Sequence, residues 1–139
     1  MTLPAGLSDR DRAEVERSAT EAGRVALAPV EVVRYLDPSA DTPYGLEYAF
    51  YLLGDIRGQR VLDLGCGTGE NLISLVKRGA RVVAMDISTD LVDRARRRLQ
   101  NYGIDETGAN LQAASAYDTG LPPDSVDVVF SIALLHHLD

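Results

Sequence analysis

Residues 61–70, Val61-Leu62-Asp63-Leu64-Gly65-Cys66-Gly67-Thr68-Gly69-Glu70, read as a buried strand that runs into a glycine turn with a carboxylate at its mouth. Three glycines in alternation directly after an apolar run mark backbone that turns tightly and approaches a ligand or a neighbouring segment closely. From Asn71 to Arg78 the apolar residues Leu72, Ile73, Leu75 and Val76 return at helical spacing. The segment is therefore strand, glycine loop and helix N-terminus, and the free amide N–H groups of such an N-terminus suit a carboxylate or a phosphate.

Spacing separates two ligand classes. The dinucleotide fingerprint needs Gly-x-Gly-x-x-Gly or Ala, and counting from Gly65 puts Glu70 where the third small residue belongs. The third glycine instead comes one position early, at Gly69, and Asp63 stands two residues before the first. A carboxylate there repels a pyrophosphate and favours a ligand that carries an ammonium group. A tight turn of any α/β protein would leave Asp63 unexplained. Asp63-Leu-Gly-Cys-Gly-Thr-Gly69 resembles motif I of the class I S-adenosylmethionine-dependent methyltransferases. The resemblance implies S-adenosyl-L-methionine as cofactor and S-adenosyl-L-homocysteine as product. It also implies that Gly65, Cys66, Gly67 and Gly69 hold the methionine portion, with Asp63 near its ammonium.

The chain's 139 residues fit one domain with one core. Twenty-one acidic residues against 14 basic give a formal charge of −7, which argues against a broad phosphate-binding face and so against nucleic acid as partner. A single cysteine, Cys66, makes no internal disulfide and no metal cluster, which fits a reducing cytoplasm, and with no neighbouring histidine it reads as a small buried filler. Met1 to Arg12 lacks a basic start followed by an apolar core, and no apolar run approaches the roughly 20 residues of a membrane span. The expectation is a cytoplasmic protein with neither a metal nor a membrane partner.

Residues 1–54 read as an N-terminal helical lid or cap, and 55–139 as the cofactor-binding half-domain. Ser8 caps a charged helix with Asp9 and Asp11 in its first turn, which can cover a core but hardly build one. Gly23 weakens helix from Ser18 to Ala28, Pro29 breaks it, and a short segment Val30 to Leu36 stops at Asp37-Pro38. Thr42-Pro43 has the form of an N-cap and first helical residue, ahead of Leu46, Ala49, Phe50 and Leu53 at helical spacing, which Gly54 closes. Tyr44 and Tyr48 on this helix have two readings: core filling, as for most helical aromatics, or, by the family resemblance, a lid over the ligand cleft.

Beyond Gly79, Arg81 to Asp86 reads as a second buried strand ending in an acid, which makes a right-handed βαβ unit with parallel strands. Asp86 can accept both ribose hydroxyls of a nucleoside, or cap the next helix ahead of Ser88. By the resemblance Ile87 supports the adenine ring. Thr89 to Tyr102 is a helix with Leu91, Val92, Ala95, Leu99 and Tyr102 on one side. Arg94, Arg96, Arg97 and Arg98 then read as a solvated face in the half of the helix that favours cations. Asn110 to Ser115 is a third strand of weak β propensity. Ser115-Ala116-Tyr117-Asp118 resembles the segment that holds the adenine amine, with Ser115 where many members have Asp, Asp118 an alternative acceptor, and an ordinary turn the other reading. Asp124 to Ile132 reads as a fourth buried strand. It resembles motif IV, with Val126 in place of the usual Phe, Ser131 beside the sulfonium, and His136 and His137 following. Either histidine could take a proton from an acceptor, and adjacent ones point different ways, so packing or capping explains at least one.

The resemblance covers Gly58 to Asp139 and implies a Rossmann-like doubly wound parallel sheet with strand order 3-2-1-4, strands five to seven of the family fold being absent. Strand four is then an apolar edge that a partner strand or second copy would cover. The implied activity is methyl transfer to a small-molecule O, N or C nucleophile. The rival is a module that binds S-adenosylmethionine or its product without chemistry. A nicotinamide oxidoreductase shares Asp86 but is opposed by Asp63 and Glu70.

Overall fold

The computed structural model describes residues 6–22, 29–105 and 107–138. Their elements run α1 (Asp9–Ala22), a 3-10 turn (Val33–Tyr35), α2 (Gly45–Leu53), β1 (Arg60–Leu64), α3 (Glu70–Lys77), β2 (Arg81–Asp86), α4 (Thr89–Asn101), β3 (Ala109–Ala113), β4 (Val128–Phe130) and a 3-10 turn (Leu135–His137). The strands form one parallel sheet in the order β3-β2-β1-β4, as the βαβ pattern requires. Its strands are paired at Val61 with Val82 and Val128, and at Asp63 with Ala84 and Phe130. Alternation along each strand thus gathers Val61, Asp63, Ala84, Leu111 and Phe130 on one face.

That face carries the core. Phe50 of α2, Leu72, Ile73 and Leu75 of α3, and Val92, Ala95 and Leu99 of α4 cluster on Val61, Val82, Ala84 and Phe130. Each large side chain buried there contributes roughly 1.5–3 kcal/mol. Phe50 joins α2 to the far strand, with ring centroids 5.1 Å from both Tyr35 and Phe130. Val129 points to the opposite face and is 57% exposed, so β4 is three residues long and half open where the sequence suggested a longer buried strand. Only Phe130 of its residues meets the helical layer deeply enough to be buried.

Two N-terminal expectations shift. Helix α2 starts at Gly45 with Tyr44 as N-cap, later than Thr42-Pro43 suggested. The Thr42 hydroxyl is engaged instead, donating to Glu47 and accepting the Tyr44 N–H at 3.3 Å. Helix α1 begins as expected: the Asp11 N–H donates to the Ser8 hydroxyl and the Ser8 N–H to the Asp11 carboxylate, both at 3.1 Å, a reciprocal cap. It reaches further into the fold than its charge suggested, packing on α4 with Val15 fully buried. The expectations for Gly23 to Ala28 lie outside the described residues.

Candidate cofactor site

Beyond the carboxyl ends of β1, β2 and β3, where open α/β sheets bind ligands, lies a cavity of about 1320 Å³. Small-molecule sites usually span about 300–1,000 Å³, so this cavity is large enough for a small-molecule ligand. Its wall is Leu64 and Gly65 from β1, Asp86 and Ile87 from β2, the Ser115 to Gly120 turn after β3, and Ala133 to Leu138 after β4, apart from Leu135. The inner side of α1 closes it, through Ser8, Asp11, Glu14 and Arg17. The reciprocal cap at Ser8 and Asp11 marks the helix in the sequence, but nothing local shows that it folds over the sheet's end.

Of the residues singled out by sequence, Gly65, Asp86, Ile87, Ser115, Ala116, His136 and His137 line this cavity. Asp63, Cys66, Gly67, Gly69 and Ser131 are not among its lining residues. Tyr44 and Tyr48 are also outside its lining and more than 40% exposed: Tyr44 lies under the Arg34 guanidinium, and Tyr48 stacks on Tyr51.

Asp86 is the best-placed acceptor. One carboxylate oxygen accepts the Gly67 N–H and the other the Ser88 N–H, each at 3.0 Å, while the Ser88 hydroxyl caps α4 at the Leu91 N–H. The N-cap of α4 is thus Ser88 rather than Asp86, which instead accepts the Ser88 N–H from the end of β2. Each oxygen retains a lone pair. Burial raises the Asp86 pKa against the lowering effect of those two N–H groups.

The three motif glycines do different things. Gly65 has φ +77, and a Cβ there would meet Leu134 at 3.0 Å; Leu134 follows Ala133, whose φ of 57 is rare for a residue with a side chain. Gly69 has φ +78 and abuts Ala95 of α4, where a Cβ would lie 3.0 Å from its neighbour. Gly67, at φ +54, has open space. Close approach at Gly65 and Gly69 is thus between segments of the chain itself. Cys66 is buried beneath the loop, and burial first, then Asp63 and Asp86, push its thiol well above the usual range. That agrees with an inert filler. The Ser131 hydroxyl donates to the Leu64 carbonyl at 3.0 Å, tying the ends of β4 and β1.

Asp63 is 3% exposed, and its Oδ2 has no hydrogen-bond partner. Strand alternation turns it into the helical layer, which is why it misses the cavity wall. Burial, and after it the charge of Asp86, push its carboxyl up to about 7. In the unfolded chain an aspartate titrates at about 3.9. Between those values the folded state holds one more proton than the unfolded, so this group makes stability fall as pH rises from about 4 to about 7, and level off above. Asp63→Asn removes that slope. The urea midpoint of the parent relative to the variant is expected to decline across this window, and a flat difference would exclude a buried carboxyl of raised pKa.

After β4, the His136 and His137 rings lie 4.0 Å apart, and His137 Nδ1 is 3.9 Å from Glu14 of α1. The two rings thus lie together and both line the cavity, rather than pointing different ways, and His137 also faces the covering helix. Arg98 departs from the expected solvated face: it is buried and donates from Nε to the Thr68 carbonyl at 2.8 Å. Its register could have shown this, since it falls three residues after Ala95 and beside Leu99 on the packed side. Among the described residues no cluster of His, Cys, Asp or Glu could hold a metal ion, and no helix is long and apolar enough to cross a membrane.

Known proteins carry the same architecture. The magnesium protoporphyrin IX methyltransferase of Synechocystis, solved with S-adenosylmethionine bound, superposes with a TM-score of 0.69 over 98% of this chain and 67% of its own, at 19% identity, which shows the fold. An S-adenosylmethionine-dependent methyltransferase of Mesorhizobium loti is 31% identical, with a TM-score of 0.53 over 69% of this chain and 40% of its own. A magnesium-protoporphyrin O-methyltransferase of Rhodobacter capsulatus is 56% identical over 45 residues, 32% of this chain and 20% of the relative. An uncharacterised transposon protein of Streptomyces fradiae is 33% identical across 97% of this chain and 40% of its own length. The chain thus spans between a fifth and two fifths of these two curated relatives. The family model described as a methyltransferase domain matches residues 61–139, more than half of the chain, from β1 through the last turn. With the sheet order, the glycine loop and Asp86 all within that match, the chain belongs to the S-adenosylmethionine-dependent methyltransferases.

Proposed function

We propose that the cavity holds S-adenosylmethionine and that the protein transfers its methyl group to a small-molecule O, N or C nucleophile. The observation that carries this reading is Asp86: a mostly buried carboxylate on the cavity wall, at the end of β2, with lone pairs left for two ribose hydroxyls. The surroundings fit the same group. Ile87 offers an apolar surface for adenine and the Ser115 hydroxyl an acceptor for its amine.

Bound S-adenosylmethionine supplies an electrophilic methyl group. The chain's own task is to orient donor and acceptor in line and to exclude water. Helix α1 contributes the covering wall and the glycine loop fixes the donor's amino-acid end. His136 or His137 would accept a proton where the acceptor is a hydroxyl, and an amine or carbon acceptor needs no base. Relatives named for O-methylation, in protoporphyrin and ubiquinone biosynthesis, favour oxygen. The open edge of β4 beside exposed Val129 would pair with a further strand or a second copy.

Calorimetric titration of S-adenosylhomocysteine into the folded chain is expected to show micromolar-range binding that NAD does not displace. A folded chain that ignores the ligand would sink the cofactor assignment. The second reading is a module that binds the same ligand without chemistry. It predicts the same binding without turnover on any acceptor.

A further inference from the structure

Arg98 is 4% exposed, the only cation buried so deeply among the described residues. A buried guanidinium is strongly unfavourable unless its donors find acceptors. Here acceptors come from the tip of the glycine loop: the Thr68 carbonyl at 2.8 Å from Nε and the Thr68 hydroxyl at 3.4 Å from Nη2. The loop is therefore held at three consecutive residues. Asp86 takes the Gly67 N–H, Arg98 takes the Thr68 carbonyl, and Gly69 rests on Ala95 one turn before Arg98.

The direction of that hold matters to a ligand. A carbonyl drawn back onto α4 does not face the loop's mouth, where it would repel an anion. Glu70 and Asp86 border the loop, an acidic surrounding that favours an ammonium group and opposes the carboxylate of the same amino acid. Arg98 is a cation that touches the loop. We propose that Arg98 is a positioning residue for the amino-acid end of the cofactor: it fixes the Thr68 carbonyl away from the ligand and offsets the acids toward the ligand's carboxylate. The inference rests on the S-adenosylmethionine reading above, and it assigns one end of that ligand to a residue of α4.

The test compares two ligands that share the nucleoside, S-adenosylhomocysteine and 5′-methylthioadenosine, of which only the first has an amino-acid group. In Arg98→Met, S-adenosylhomocysteine is expected to bind about tenfold more weakly or worse while methylthioadenosine changes by less than about threefold, as loss of a charge-assisted contact predicts. Equal losses for both ligands, or none, overturn the proposal. Should Arg98→Met not fold, Arg98→Lys decides: it keeps the charge and loses the fork, and is expected to shift the ratio of the two affinities in the same direction by a smaller factor. An unchanged ratio in the lysine variant refutes the role. Hydrogen exchange at the Gly67 and Gly69 amides separates this from failure of the cofactor reading. If the parent binds neither ligand, that reading falls, while exchange no faster in the variant than in the parent overturns the positioning role independently.

Discussion

Asp86→Ala is expected to weaken S-adenosylhomocysteine binding by about two orders of magnitude or more, since each hydrogen bond to a charged group contributes about 1.5–3 kcal/mol and a ribose offers two hydroxyls. The same change releases the Gly67 and Ser88 N–H groups, so the loop and the start of α4 lose a shared acceptor. Asp86→Asn separates the two effects. Its carbonyl oxygen keeps two lone pairs, for one N–H and one hydroxyl, while its amino group faces the other N–H and accepts nothing, so it should bind more weakly than the parent while filling the same space. Calorimetry on both variants, after circular dichroism shows them folded, decides. A loss of less than about threefold in Asp86→Ala would remove the ribose from this residue.

Two glycines of one motif are expected to respond very differently to the same methyl group. Gly69→Ala places a Cβ 3.0 Å from Ala95 Cβ and 3.2 Å from its Cα, at a φ of +78. The left-handed backbone costs roughly 1–2 kcal/mol for an L side chain, and forcing α4 outward adds about 1–3 kcal/mol. Gly67→Ala meets nothing within 4 Å and bears the backbone cost alone, at φ +54. Urea unfolding should therefore find Gly69→Ala less stable than Gly67→Ala by about 1–3 kcal/mol. Equal midpoints would mean that α4 yields freely at Ala95 and that the third glycine is not set by packing.

Much of the sheet was legible because parallel strands covered by helices are written as short apolar runs. Val61 to Leu64 and Arg81 to Asp86 appear within a residue of their expected places, each followed by a helix with an apolar stripe. Strand β4 was overestimated because Val128, Val129 and Phe130 look equally buried in one dimension. Only register against β1 shows that Val129 faces away from the helical layer. At the site, Asp86 followed from its position after β2, whereas the setting of Asp63 did not. A carboxylate beside a glycine loop suggests the mouth of a cleft, yet period two turns it inward against Phe130 and Ala84. Helix α1 carries no ligand motif, so its closure over the cavity is a tertiary result. Arg98 was hidden by its own charge: three neighbouring arginines made a solvated face the natural reading of a residue that lies on the packed side.

The order β3-β2-β1-β4 also has a timetable. Strand β1 meets β2 about 20 residues downstream but must wait 67 residues for β4, the separation of Val61 and Val128. At synthesis rates of about 5–20 residues per second that interval is roughly 3–13 s. During it, the inner edge of the central strand has no partner and Phe50 has no Phe130 to rest against. Pairing over so long a separation is also slow once both strands exist. A nascent chain paused anywhere between Asp86 and Val128 would offer the central edge of its own sheet to any passing strand, and the last three residues of the sheet are what withdraw that offer.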